Sequence, residues 1–106
     1  MSEKTIMLVC SAGMSTSLLV TKMQKAATEK GIEADIFAVS ASEADKIIKD
    51  KKVDVMLLGP QVRFMKSQFE KKLEGKDIPL EVINMSDYGL MNGENVLNQA
   101  LTLMGE

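Results

Sequence analysis

The sequence predicts an α/β fold: an open four-stranded parallel sheet with helices on both faces. Two observations carry this. Short apolar runs alternate with longer amphipathic segments along all 106 residues. A helical stretch separates each run from the next, and parallel strands need such crossovers, which are right-handed. A sheet covered on both faces is the economical way to bury all of these runs. Composition agrees: 45% hydrophobic and 26% charged residues are ordinary for a globular domain. The length suits one small domain spanning residues 1–106, which buries roughly two-thirds of its unfolded surface without staples.

Each element has its own signal. Ile6-Met7-Leu8-Val9-Cys10 is an unbroken apolar run, expected of a strand covered on both sides. A loop of small and hydroxyl residues follows, Ser11-Ala12-Gly13-Met14-Ser15-Thr16-Ser17. From Thr16 to about Lys30, Leu19, Met23 and Ala26 recur at helical spacing, and Gly31 is placed to cap the helix end. Ile36-Phe37-Ala38-Val39 reads as a second strand. A short helix opens at Ser42, with Ser42 and Asp45 as a capping pair and Ala44, Ile47 and Ile48 facing inward.

The second half repeats the alternation. Val53 and Val55-Met56-Leu57-Leu58 predict a third strand, closed by Gly59-Pro60-Gln61. Val62, Met65, Phe69 and Leu73 predict one stripe of a single helix ending near Gly75. Leu80, Val82 and Ile83 mark a fourth strand after Pro79, which is tolerated at a strand start. Met85-Ser86-Asp87-Tyr88-Gly89 reads as a loop. The last helix begins near Asn92 and turns Val96, Leu97, Ala100, Leu101 and Met104 inward.

The composition excludes much chemistry. With one cysteine and no histidine, a disulfide framework, a Cys-rich zinc site and Ser-His-Asp or Cys-His nucleophile pairs are unavailable. No metal site or cofactor is expected. A net charge of -2 offers no Lys/Arg excess to neutralise nucleic-acid phosphates. No apolar stretch approaches the ~20 residues that cross a bilayer, and the first residues lack the pattern of a signal peptide. A cytoplasmic protein with a reduced thiol is expected.

In open α/β sheets ligands bind beyond the carboxyl ends of the strands. Three loops emerge there, starting at Cys10, Gly59 and Met85. The first carries the most chemistry. Gly13 lets the backbone bend without a Cβ penalty, so successive amide N–H groups can converge on an anion at a helix N-terminus. Ser11, Ser15, Thr16 and Ser17 add hydroxyl donors, and the same field favours a thiolate at Cys10. Two readings stand on pattern alone: a buried small hydrophobe, or a phosphate-binding thiol.

Absences sort the reactions further. No Gly-Lys-Ser/Thr follows, so this is not a nucleotide P-loop. No second cysteine can resolve a disulfide. A cysteine phosphatase places an arginine six residues after its cysteine, and that position is Thr16 here. The only arginine is Arg63, in another segment. Without a guanidinium to spread the charge of a transferring phosphoryl group, hydrolysis is slow, which suits a carrier. A low-molecular-weight cysteine phosphatase-like enzyme and a non-enzymatic anion-binding regulatory module are the alternatives.

The run Cys10-Ser11-Ala12-Gly13-Met14-Ser15-Thr16-Ser17-Leu18-Leu19-Val20 resembles the signature of the IIB components of the bacterial phosphoenolpyruvate-dependent sugar phosphotransferase system, lactose/cellobiose (N,N'-diacetylchitobiose) class. The Leu57-Leu58-Gly59-Pro60-Gln61 turn, Asp87-Tyr88-Gly89, Gly93 and Val96-Leu97 extend the resemblance over the whole chain. It implies a phosphatase-loop/flavodoxin-like doubly wound arrangement and a phosphocysteine intermediate at Cys10. It also implies a IIA partner whose histidine donates the phosphoryl group, and a membrane IIC partner holding the sugar, expected to be a cellobiose/chitobiose-type β-disaccharide. The loop from Ser11 to Ser17 would cradle the phosphate by its amides. A chain that ends soon after its last helix resembles the free-standing cellobiose type.

Outside the loop, two residues are possible accessories. Gln61 either caps the next helix or donates a hydrogen bond to phosphate, and Tyr88 either packs or bonds the phosphoryl group. Met14, Met85 and Met91 form an expected adaptable apolar rim for partners. Arg63, Lys66, Lys71 and Lys72 read as a solvated helix face, or as a basic rim for an acidic partner.

Overall fold

The computed structural model describes residues 4–10 and 14–105, without the side chains of residues 14–16. The first strand, β1, spans Lys4–Cys10, and helix α1 spans Met14–Glu29. They are followed by β2 (Ala34–Ser40), α2 (Ala41–Asp50) and β3 (Val55–Leu58). A 3-10 helix (Pro60–Met65) then runs into α3 (Lys66–Lys72). The chain closes with β4 (Leu80–Val82), α4 (Met85–Gly89) and α5 (Gly93–Leu103).

The four strands form one sheet in the order β2-β1-β3-β4. Every pairing is parallel, with Met7 opposite Phe37 on one side and Met56 on the other. Central β1 and β3 are buried on both faces, which is why their apolar runs are unbroken. Alternation divides them between two cores. Ile6, Leu8, Val55 and Leu57 pack with Leu19, Met23, Val96 and Leu97 of α1 and α5. Met7, Val9, Met56 and Leu58 pack with Ala44, Val62 and Phe69 on the opposite face. The expected helices on both faces are present.

Local chemistry accounts for the helix ends. Gly31 adopts φ 70° after α1, and the Ile32 N–H reaches back to the Ala27 carbonyl at 2.9 Å. Gly93 meets α1 so closely that a Cβ there would lie 2.5 Å from the Lys22 carbonyl carbon. Pro79 stands just outside β4, and its carbonyl accepts from the Met56 N–H at 3.0 Å, a role that needs no proline N–H.

Three expectations are corrected. The stripe Val62, Met65, Phe69 and Leu73 faces inward, but its backbone is not one helix. A 3-10 turn starts at Pro60, leaves helical geometry at Val62 (φ -115°, ψ 19°), and gives way to α3. Gly59 and Pro60 impose a tight start, and burying Val62 breaks the helical phase. The capping pair is Ser40 with Glu43, not Ser42 with Asp45, because α2 begins directly off the strand. Glu43 accepts from the Ser40 N–H at 3.3 Å and from its hydroxyl at 3.0 Å. The expected loop from Met85 to Gly89 is helix α4, because the Asn84 side chain caps it by accepting from the Asp87 N–H at 3.1 Å.

Candidate active site

The chain leaves β1 to build β2 on one side, then returns to build β3 on the other. The strand order therefore reverses between β1 and β3, and it is beyond the carboxyl ends at such a reversal that open α/β sheets place their ligand crevice. Cys10 is the last residue of β1, 1% exposed and free of any disulfide. Gly59 follows β3 directly across the crevice and donates its N–H to the Val9 carbonyl at 2.8 Å. A Cβ built on Gly59 would lie 3.6 Å from the Cys10 Cβ and 2.6 Å from the Gln61 Oε1. The bare Cα of Gly59 thus makes room for both.

Gln61 is exposed on the 3-10 helix, yet its side chain does not wander. Its Nε2 donates to the Tyr88 Oη at 2.7 Å, joining the segment after β3 to the segment after β4. Tyr88 is held from below. It packs against the core under α1 and α5, and α4 is tied to its surroundings by side-chain amides. Asn95 Nδ2 donates to Asp87 Oδ1 at 3.0 Å, the Asn84 N–H donates to Gln99 Oε1 at 3.1 Å, and Gln99 Nε2 donates to the Val82 carbonyl at 2.9 Å. Asn92 caps α5 through the Asn95 N–H at 3.0 Å. The two accessory residues that are far apart in sequence are partners in space.

The loop residues Ser11, Ala12 and Gly13 lie outside the described residues, as do the side chains of Met14, Ser15 and Thr16. The backbone of residues 14–16 forms the first turn of α1. Ser17 is exposed on that helix, and its carbonyl accepts from the Thr21 hydroxyl at 3.2 Å. Sequence reasoning missed Ser40, which stands beside Cys10 in the β1–β2 register. Only the pairing of strands could reveal that neighbour.

Among the described residues, four large apolar side chains are exposed, Leu18, Phe64, Met85 and Leu90, at 52%, 78%, 59% and 75%. All sit on segments that leave the carboxyl ends of β1, β3 and β4. Met85 was expected at such a rim, whereas Met91 is half-buried against the core. The basic residues divide. Lys66 pairs with Glu81 at 3.1 Å, and Lys72 pairs with Asp45 at 2.7 Å while lying over the Phe69 ring. Arg63 and Lys71 are exposed. Lys66 and a hydrogen bond from the Val82 N–H hold the Glu81 carboxyl below its ordinary range. Among the described residues no cluster of His, Cys, Asp or Glu could hold a metal ion. No helix among them is long and apolar enough to cross a membrane.

A parallel sheet with helices on both faces and a strand-order reversal between its central strands defines a flavodoxin-like doubly wound α/β fold. Solved structures share this fold. A solution structure of a cellobiose-specific phosphotransferase IIB component protein from Borrelia burgdorferi superposes with a TM-score of 0.79 at 43% identity, covering 98% of this chain and 94% of that one. The lactose-specific IIB component domain from Streptococcus pneumoniae gives a TM-score of 0.84 over 95% of this chain and 97% of that one, at 16% identity, a likeness of fold alone. The family profile described as PTS system, lactose/cellobiose specific IIB subunit, matches residues 5–99.

Curated relatives agree. A galactose-specific EIIB component of Lactococcus lactis subsp. cremoris is 52% identical, over 98% of this chain and 99% of the relative. A cellobiose-specific EIIB component of Lactococcus lactis subsp. lactis is 51% identical over the same shares. An oligo-beta-mannoside-specific EIIB component of Bacillus subtilis is 46% identical, over 95% of this chain and 96% of the relative. The chain belongs to the lactose/cellobiose IIB family of the phosphotransferase system. It is a phosphotransferase component of sugar transport, in a family that works with IIA and IIC components.

Proposed function

We propose that this chain carries its phosphoryl group on Cys10. The observation that supports this most is positional. The only thiol of a chain without histidine closes β1 at the point where the strand order reverses. The donor is a histidine of a IIA component. The Cys10 thiolate attacks phosphorus, the S–P bond forms as the N–P bond breaks, and the electron pair returns to the imidazole nitrogen. A hydroxyl of the sugar held by a IIC component then attacks phosphorus. The S–P bond breaks, the pair returns to sulfur, and the hydroxyl proton leaves to a base on the acceptor side.

The segment Ser11, Ala12, Gly13, Met14, Ser15, Thr16 and Ser17 cradles the phosphoryl oxygens through backbone N–H groups and hydroxyls at the start of α1. A neutral cradle without arginine holds the dianion moderately and leaves onward transfer feasible. The exposed Leu18, Phe64, Met85 and Leu90 suit the covering of this edge by a partner protein. One domain of residues 1–106 works in the cytoplasm and meets the membrane only through IIC. The sugar is a β-linked disaccharide of cellobiose or chitobiose type. Relatives of nearly equal identity are named for galactose, cellobiose and oligo-β-mannoside, which supports a sugar choice made by IIC.

Phosphorylated IIA, regenerated from phosphoenolpyruvate, should label the chain at one site, and Cys10→Ser should abolish the label. A label that survives this substitution sinks the assignment. Membranes containing the cognate IIC, supplied with a panel of β-linked disaccharides, read the second transfer.

A further inference from the structure

The Gln61–Tyr88 contact has a direction. Nε2 of Gln61 donates to Tyr88 Oη at 2.7 Å, so the other end of the amide, Oε1, is turned back over Gly59. There it lies 2.6 Å from where a Gly59 Cβ would stand, and that same position is 3.6 Å from the Cys10 Cβ, so the amide oxygen and Cys10 flank the space that glycine leaves empty. A carbonyl oxygen aimed at that space suits a thiol, whose S–H is a weak donor. It opposes a phosphoryl dianion, which presents only acceptors. The opposite end of the same amide carries two N–H donors. Tyrosine accommodates either end, because a phenol both donates and accepts.

We propose that the Gln61 amide turns over when Cys10 is phosphorylated, so that Nε2 donates to the phosphoryl oxygens and Tyr88 Oη–H donates to Oε1. Gln61 then touches the transferred group, and Tyr88 is a positioning residue that holds the amide in either orientation. In the turned-over amide the Gln61–Tyr88 contact is kept with donor and acceptor exchanged, and a charge-assisted hydrogen bond is added at the phosphoryl group. Its net effect is to stabilise the phosphorylated state. Gly59 permits the motion because no Cβ obstructs the amide. This inference rests on Cys10 being the carrier.

The test uses the full chain, phosphorylated by IIA and phosphoenolpyruvate, in wild-type, Gln61→Leu, Tyr88→Phe and doubly substituted forms. In 15N-labelled wild type, the Gln61 side-chain amide resonance, assigned by its loss in Gln61→Leu, should shift on phosphorylation. Gln61→Leu should move the phosphoryl equilibrium between IIA and this chain about tenfold toward IIA, the scale of one hydrogen bond to a charged group. Tyr88→Phe should move it the same way by less. The double variant should match Gln61→Leu, since a merely structural tyrosine would add its own loss. Thermal melts check that all forms fold. A labelled wild type with an unmoved Gln61 amide and unchanged equilibria overturns the Gln61 role alone. A label that persists in Cys10→Ser overturns the carrier reading, and this inference with it.

Discussion

Gln61 and Tyr88 stand 27 positions apart in the chain and meet through a 2.7 Å hydrogen bond. The contact bridges the segments that follow β3 and β4, and it stands over Gly59, next to the Cys10 end of β1. One side of the crevice is therefore braced by side chains, while the other is the start of α1. Four substitutions or titrations probe how this edge is held.

Gly59→Ala places a methyl group 2.6 Å from Gln61 Oε1 and 3.4 Å from the Val9 carbonyl oxygen. The crowded atom is the tip of a flexible side chain, so the fold yields cheaply and loses less than about 1 kcal/mol. The displaced amide no longer reaches Tyr88. Melting should change little while phosphoryl acceptance from IIA falls by the amount seen in Gln61→Leu. A large loss of stability would show that Gly59 serves the fold rather than the site.

Gly93→Ala behaves in the opposite way. Its Cβ would meet backbone atoms, the Lys22 carbonyl carbon at 2.5 Å and the Met23 nitrogen at 2.7 Å. Helices α1 and α5 must separate, at a cost of about 2 kcal/mol, or a fall in Tm of roughly 8–16 °C. Calorimetry checks this, and an unchanged Tm would contradict the close approach.

Asn92→Ala removes the side-chain acceptor for the Asn95 N–H at the start of α5. A lost N-cap costs about 1 kcal/mol. Urea unfolding should shift its midpoint without a change in slope. Buried Val96, Leu97 and Ala100 keep the helix in place, so the fold should survive.

Glu81 carries a pH signature. Lys66 first, then the Val82 N–H, lower its pKa below the ordinary 4.5. A lowered carboxylate pKa contributes stability above the unfolded value. That contribution is lost as pH falls through the lower folded value. Side-chain exposures of 37% for Lys66 and 42% for Glu81 leave the pair screened, so the contribution stays below about 1 kcal/mol. Glu81→Gln should cost this much near pH 7 and progressively less as pH falls below 4.5 through the lowered folded value. A difference independent of pH would remove the ion pair as its cause.

Much of the fold was legible because its signals are local. The unbroken run ending at Cys10 announces a strand buried on both faces, and Gly31 announces the end of α1. Legibility failed where a cap overrides its surroundings. Asn84 turns an apparent loop into α4, and Glu43 reaches back to Ser40 rather than leaving Ser42 to begin α2. It failed again at Val62, where burial of one side chain outweighs helical continuity.

The sequence alone determined that a single thiol would close a parallel strand, that no histidine could serve beside it, and that Gln61 and Tyr88 were worth watching. Those properties depend on residue type and spacing over a few positions. Tertiary structure decided the neighbours: Gly59 and Ser40 on either side of Cys10, and Tyr88 as the hydrogen-bond partner of Gln61. Such pairings depend on strand order and register. These follow from how two cores pack against opposite faces of one sheet, a balance of distant contacts that no short stretch of sequence carries.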